Sequence, residues 1–250
     1  MKKIKLPLLG IATLLMSVFL FISCNEEENK LEKENTKHEN LLKLDAKELA
    51  NIHNDVLIKL YDTDVYYNEN SRTNGDITEE QLLNMLMAAD LDVSPEVLQN
   101  IFDYISNNND VEANISNIAN EFESGELEAL YLQLNNDMDN VQSYEEMVRL
   151  LANATDEVHS GSYNEIDVKI FDIFVETSIA SAEYWYKIDP KNPKTNPKPK
   201  KEVPKWVKKD GNAIAQASVG WAVYAGIFGG GPVGYFATLG IAGAIGSVWP

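Results

Sequence analysis

The chain has almost no cysteine and little histidine. It contains one cysteine and three histidines in 250 residues. A single thiol cannot form an internal disulfide, and it excludes zinc clusters that need two or more thiolates. The sequence also lacks a phosphate-binding loop, a serine elbow and a zinc-ligand pattern. We therefore predict a protein that is not an enzyme, with no catalytic residue, no metal ligand and no cofactor.

Positive charge is scarce as well. The chain has 21 basic and 39 acidic side chains, which gives a formal net charge of −18. Because such a chain repels phosphates, nucleic acid is excluded as a partner. The hydrophobic fraction is 44%, which is enough for one packed domain with appendages and argues against a wholly disordered chain.

The N-terminus has the pattern of an export signal. Lys2, Lys3 and Lys5 precede an uncharged run over residues 6–23. At 18 residues this run is at the lower limit of a membrane span, so an uncleaved anchor is the alternative. The stretch Leu20-Phe21-Ile22-Ser23-Cys24 resembles the lipobox of bacterial lipoproteins. In that family the cysteine sulfur carries a diacylglyceryl group, the signal is cut before it, and the new amine receives a fatty acid such as palmitate.

The lipobox resemblance implies that residues 1–23 are a signal peptide and that Cys24 is the lipid attachment site. Residues 24–40 form a polar tether without apolar periodicity, which we predict to be disordered. The acidic run Glu26-Glu27-Glu28 resembles the signal that carries some Gram-negative lipoproteins to the outer face of the outer membrane. We therefore expect an outer membrane lipoprotein of the cell envelope, either surface-exposed or periplasmic.

Residues 41–186 are predicted to form an acidic, all-α domain. Apolar residues recur at three- and four-residue steps, and Asp45, Thr78, Ser94 and Ser143 are placed as helix N-caps. This pattern gives seven helices in an irregular bundle, the last over about 164–186. Residues 168–175 are rich in β-branched and aromatic side chains, so a strand there is the competing prediction.

Residues 187–210 contain nine lysines, three acids and five prolines, a composition typical of a stiff, extended linker. Residues 211–250 then contain no acidic or basic side chain and most of the glycine. Small residues spaced about four apart favour close packing of two helices, a glycine zipper. We predict a helical hairpin over 213–228 and 233–248, broken at Gly229–Pro232. The predicted helix-packing or membrane residues are Ala222, Gly226, Gly230, Gly234, Gly240, Ala242, Ala244 and Gly246.

The length of the hairpin bears on its environment. Sixteen residues in each arm give a helix of about 24 Å, against a hydrocarbon thickness of about 30 Å. We therefore expect a hairpin buried against the bundle or a copy of itself, with membrane insertion and a disordered tail as alternatives. The lysines of residues 187–210 fit either anionic head groups or the acidic helices.

The weak candidates for catalysis are best explained as structural. His53 lies on the apolar face of the first helix, where we expect a buried, hydrogen-bonded histidine. Asp156, Glu157 and His159 are sequence neighbours that do not converge on one point of a helix, so we expect a solvated helix end. Gly75 and Ile77 fit an EF-hand loop, but Arg72 and Gln81 replace its oxygen ligands.

The overall layout resembles a set of uncharacterised bacterial surface-type lipoproteins. It combines the lipobox, an acidic helical body with His53-Asn54 on its first helix, and the glycine-zipper end. The C-terminal segment is also similar to the glycine-rich hydrophobic ends of small membrane-active bacteriocins. We expect a non-enzymatic lipoprotein that contacts a protein partner or self-associates; the alternative is a membrane-active or antibacterial effector whose hairpin inserts into bilayers.

Overall fold

A computed structural model describes residues 36–61, 79–88, 110–187 and 203–224, together with residues 96, 98–99, 102–103 and 239–241. These residues are helical apart from short connections, and no strand occurs among them. The all-α prediction is therefore confirmed for this part of the chain. The helices are α1 (Ala46–Tyr61), α2 (Glu79–Ala88), α3 (Val111–Ala119), α4 (Gly125–Met138), α5 (Tyr144–Ser160), α6 (Glu165–Lys187) and α7 (Val203–Tyr224).

Side chains at the helix starts satisfy the first free backbone amides. Asp45 Oδ1 accepts hydrogen bonds from the N–H groups of Lys47 and Glu48 before α1. Asp110 and Ser124 cap α3 and α4 in the same way. Ser143 Oγ accepts from Glu146 N–H at 3.2 Å, and the Glu146 carboxylate accepts from the N–H of Gln142 at 2.8 Å. The predicted N-caps at Asp45 and Ser143 are thus confirmed.

Helix α6 lies at the centre of the bundle. Helices α1, α5 and α7 all pack against it, and α7 makes the most extensive contact. Its buried side chains include Phe171, Phe174 and Trp185. The competing prediction of a strand over 168–175 is wrong, because this stretch lies inside α6 and buries its bulky side chains between neighbouring helices.

Helix α7 crosses the boundary that we predict between a linker and a hydrophobic hairpin. It begins at Val203, so the prediction of an extended linker up to residue 210 is wrong for residues 203–210. Pro204 lies in the first turn, where a helix needs no backbone donor, so it does not oppose the helix. Val203 and Val207 are buried, and this burial stabilises the helical form.

The predicted tether also ends earlier than expected. Residues 36–42 are helical, and Lys37 forms an ion pair with Glu121, which follows α3. The prediction of disorder up to residue 40 is therefore wrong for residues 36–40. Leu41 and Leu44 are fully or almost fully buried, and these apolar contacts hold the segment on the bundle.

Candidate functional site

A buried polar cluster joins α1, α6 and α7. Asp210 Oδ2 accepts hydrogen bonds from Ser181 Oγ at 2.6 Å and from Trp185 Nε1 at 2.8 Å. His53 Nε2 lies 3.6 Å from the same oxygen. His53, Ser181 and Asp210 have no exposed surface, and Trp185 is 5% exposed. We call these four residues the Asp210 cluster.

The ring of His53 is held by a further contact. Its Nδ1 lies 3.1 Å from Asn54 Oδ1, and Asn54 Nδ2 donates to the carbonyl oxygen of Ala180 at 2.8 Å. Burial lowers the pKa of His53, while the Asp210 carboxylate and the Asn54 contact oppose this shift. The expectation of a buried, hydrogen-bonded histidine is therefore confirmed.

The Asp210 cluster has the residue types of a catalytic site, but its hydrogen bonds join side chains of different helices to one another. The Ser181 hydroxyl donates to the carboxylate rather than to the imidazole. In the part of the chain that the structure describes, all four side chains are buried between helices. Charge-assisted hydrogen bonds of this kind fix the relative positions of the helices that carry them.

A second buried network surrounds Asn212, which lies two residues after Asp210 and faces α4 instead of α6. Tyr131 OH donates to Asn212 Oδ1. Asn212 Nδ2 donates to Asn135 Oδ1 and to the carbonyl of Lys208, both at 2.7 Å. Burial raises the pKa of Tyr131 well above its ordinary value, so the phenol stays a neutral donor at all physiological pH values. This network attaches α7 to α4.

Lys208 adds an ionic contact to the same attachment. Its Nζ lies 2.9 Å from Asp139 Oδ2 at the end of α4 and 3.9 Å from Glu112 Oε1 on α3. The lysine side chain is only 11% exposed, so its aliphatic stem is buried while its charge reaches the carboxylates. Lys208, which we assign from the sequence to an extended linker, is thus part of the contact between α7 and the helices α3 and α4.

Helices α6 and α7 also carry buried hydroxyls. Within the part of the chain that the structure describes, Thr177 Oγ1, Ser178 Oγ, Ser218 Oγ and Asp210 Oδ1 have no hydrogen-bond partner. The two helices approach closely at Gly211, where an added Cβ atom would lie 2.2 Å from Ser178 Oγ. At the start of the hydrophobic segment over residues 211–250, α7 therefore packs closely against α6.

One end of the bundle carries aromatic rings next to lysines. The rings of Trp185 and Trp206 lie 5.8 Å apart, and those of Tyr144 and Tyr186 lie 6.4 Å apart. Tyr184 packs edge-on against Trp185. Lys187 Nζ lies 4.7 Å above the ring of Tyr144, and Lys209 Nζ lies 5.6 Å from the ring centre of Trp206. We call this region the aromatic–lysine end; it comprises Tyr144, Tyr184, Trp185, Tyr186, Lys187, Lys205, Trp206 and Lys209.

Gly240 is the predicted packing residue that the structure describes in most detail. It is buried between Leu239 and Ile241, which are at most 1% exposed. A Cβ atom on Gly240 would lie 2.2 Å from Ile52 Cγ2 and 3.2 Å from His53 N, so the backbone at Gly240 lies directly against α1. Residues 239–241 are therefore packed in the body of the protein.

The structure describes little or nothing of the other predicted site residues. Ala222 lies in the last turn of α7. Cys24, the signal over 1–23, the Gly75 loop, Thr78 and Ser94 lie outside the described residues. The same holds for the remaining predicted packing residues, which are Gly226, Gly230, Gly234, Ala242, Ala244 and Gly246.

A histidine contact and a cavity are two further polar features of the described residues. His159 Nε2 lies 2.8 Å from Asp172 Oδ1, and this contact joins the half-exposed end of α5 to α6. The spacing of the two residues in the sequence does not predict the contact. A cavity of about 350 Å³ lies beside Lys37, His38, Glu121 and Glu123. Since the Lys37 ammonium group is already paired with Glu121, the cavity does not offer an anion a free positive charge.

Neither a metal centre nor a membrane-spanning helix is present in the described segments. No group of three potential ligands from histidine, cysteine, aspartate and glutamate converges in them. None of their helices combines the length and the hydropathy that a bilayer span requires. Comparisons with known protein families, with characterised proteins and with solved structures find no match to this chain.

Proposed function

We propose that this chain is a non-enzymatic lipoprotein of the bacterial cell envelope, held on the outer membrane by an acylated Cys24. The observation that carries the proposal is the position of the single cysteine, directly after an uncharged run with a basic start. Several acyl chains on one residue give lasting attachment, which one chain does not.

The geometry of the body supports a structural role for its most enzyme-like residues. His53, Ser181 and Asp210 are fully buried and face one another across three helices. Such an arrangement stabilises the bundle instead of presenting groups to a substrate. The proposed role of the body is therefore to contact other macromolecules through its surface.

Protein contacts are the proposed use of that surface. Glu126, Glu145, Glu146 and Glu157 are exposed on α4 and α5. The mature chain would carry 18 basic and 39 acidic side chains, a net charge of −21. Because two such surfaces repel each other, a partner with a basic surface fits α4 and α5 better than a second copy does.

The anchor is tested by changing Cys24 to alanine and fractionating the cells. We expect the variant in the soluble fraction, whereas a Ser23→Gly control keeps a small residue before the cysteine and stays with the membrane. Mass spectrometry of the parent should show a mature chain that starts at a triacylated Cys24. Membrane retention of Cys24→Ala, or an intact N-terminal signal, would contradict the proposal.

A membrane-active or antibacterial effector is the second candidate function, favoured by the uncharged composition of residues 211–250. Insertion would require Leu239 and Ile241 to leave their buried positions and lose their apolar contacts with the body. Dye leakage from liposomes tests the candidate, with the full mature chain compared with Gly230→Leu. Leakage by the parent alone would support it, and no leakage from either would count against it.

A further inference from the structure

The first helix of the bundle is covered by parts of the chain that come late in the sequence. Among the described helices, α1 packs extensively against α6, only slightly against α2, and hardly at all against the others. Asn54 Nδ2 donates a hydrogen bond to the carbonyl oxygen of Ala180, and Lys169 Nζ donates to the carbonyl oxygen of Leu44, just before α1. In the described part of the chain, α1 therefore has few partners before α6.

Residues 239–241 cover α1 from the far end of the chain. Leu239 and Ile241 are at most 1% exposed. The backbone of Gly240 lies so close to α1 that an added Cβ atom would lie 2.2 Å from Ile52 Cγ2 and 3.2 Å from His53 N. Because Ile52 and Gly240 lie near opposite ends of the sequence, this contact forms only when nearly the whole chain is present.

The same contact lies beside the Asp210 cluster, which water would open. His53, next to Gly240, has a fully buried ring, and its Nε2 lies 3.6 Å from Asp210 Oδ2. Within the described residues, the other carboxylate oxygen of Asp210 is buried without a hydrogen-bond partner. Water that reached this oxygen would supply the missing hydrogen bond, so hydration favours an opened cluster. The closed position of α1 therefore depends on contacts that exclude water near His53.

We propose that the packing of residues 239–241 on α1 is the closing step of folding, so that α1 docks stably only when the end of the chain is present. Synthesis starts at the N-terminus, so α1 is made early and this cover is made late. An incomplete chain would leave Leu49 and Val56, which are buried in the complete body, open to water and proteases. The folding step stands without the anchor. For an exported lipoprotein, as proposed above, it delays closure of the body until nearly all of the chain has been made.

Hydrogen exchange followed by mass spectrometry tests the inference on the full mature chain with Cys24→Ala. Gly240→Leu places a side chain where even a Cβ atom would meet Ile52, so residues 239–241 cannot pack as they do in the parent. We expect the amides of α1 to exchange about tenfold faster or more, because local opening of α1 becomes easier. The amides of α5 should change by less than about threefold, since α5 packs against α4 and α6.

Gly125→Leu is the matched control, because it makes the same change at an exposed position where an added Cβ atom meets nothing within 4 Å. We expect exchange in α1 of this control to match the parent. Gly240→Ala is a milder change, and a second substitution, Ile52→Ala, removes the methyl group that lies 2.2 Å from the new Cβ atom. The double variant should therefore regain part of the α1 protection that Gly240→Ala alone loses.

The order of folding is tested by pulsed hydrogen exchange while the parent refolds from urea. The amides of α1 should become protected no earlier than those of residues 239–241. Earlier protection of α1, equal acceleration of exchange in α1 and α5 of Gly240→Leu, or unchanged exchange in α1 of that variant would each overturn the inference. Because every chain carries Cys24→Ala, these measurements are independent of the test of Cys24 acylation.

Discussion

Removal of the Asp210 carboxylate should cost more stability than any surface change. In Asp210→Ala the buried Nε1–H of Trp185 loses its acceptor, the Ser181 hydroxyl loses its partner, and His53 loses the nearby negative charge. Each hydrogen bond to a charged group contributes about 1.5 to 3 kcal/mol, and breaking a buried charged contact costs about 3 to 5 kcal/mol. In the parent, Asp210 Oδ1 is buried without a hydrogen-bond partner among the described residues, which is unfavourable. The alanine variant removes this buried oxygen, and this gain offsets part of the cost.

We therefore expect Asp210→Ala to lower the free energy of unfolding by about 3 kcal/mol, which corresponds to a fall in Tm of roughly 6 to 12 °C for a chain of this size. Asp210→Asn keeps an oxygen that can accept both hydrogen bonds, so its loss should be about 1 kcal/mol. The assay is urea unfolding at pH 7.5, followed by far-ultraviolet circular dichroism, with Cys24→Ala in every chain.

The control for Asp210→Ala is Asp156→Ala, because Asp156 is exposed on α5 and its loss should change stability by less than about 0.5 kcal/mol. Two results would refute the reasoning. One is a loss below about 1 kcal/mol in Asp210→Ala, and the other is an equal loss in the asparagine variant. Either result would mean that the hydrogen bonds of the Asp210 cluster do not hold α7 in place.

Three further predictions concern the same helix contacts. Gly240→Ala should destabilise the fold by about 1 to 3 kcal/mol in urea unfolding, whereas Gly125→Ala should be neutral or slightly stabilising because its Cβ meets nothing within 4 Å. Gly211→Ala should also destabilise, and Ser178→Ala should restore part of the loss by removing the clashing hydroxyl; a strictly additive double variant would contradict the contact. Because burial lowers the pKa of His53 in the folded state, its favourable contribution is complete above the unfolded pKa of 6.5 and is lost as the pH falls through the lower folded value. Stability measured from pH 7.5 to 5.5 should therefore fall less steeply in His53→Gln than in the parent, and equal slopes would refute this assignment.

Local sequence rules predicted much of the bundle. Asp45 and Ser143 were identifiable as N-caps because a cap uses neighbouring backbone amides, so its signal lies within four residues. The apolar spacing after Ser143 predicted an apolar face of Met147, Leu150, Leu151, Ala154 and Val158; all of these are buried except Leu150, which is half-buried. The strand alternative for residues 168–175 had real local support and failed because α6 is packed by other helices on several faces.

The start of α7 was hidden by composition. Residues 203–210 contain three lysines and one proline, yet Val203, Val207, Asp210 and Ile214 recur at three- and four-residue steps and are all buried. That spacing is the signal that identifies a helix here. The change from a charged to an uncharged composition, between residues 210 and 211, lies inside α7 and does not coincide with the end of a helix.

The Asp210 cluster was beyond local prediction for a different reason. Ser181 and Trp185 are four residues apart on one face of α6, which sequence can show, but their common acceptor lies 25 residues beyond Trp185. Nothing near Asp210 distinguishes it from a solvated acid beside lysines. His53 was predicted to be buried from its apolar face, whereas its approach to Asp210 depends on how α1 and α7 dock on α6.

The continuity of α7 has a practical consequence for any attempt to separate the hydrophobic segment from the body. A deletion made at the visible change in composition, between Asp210 and Gly211, would cut a helix of 22 residues after its eighth residue. It would remove the buried residues Asn212, Ile214 and Val219 and expose the part of α6 around Phe174 and Ser178 that packs against Gly211. A fragment ending at residue 210 would therefore be a damaged body rather than an intact one, and a cut directly after Tyr224 would still remove the buried residues 239–241 that pack against α1.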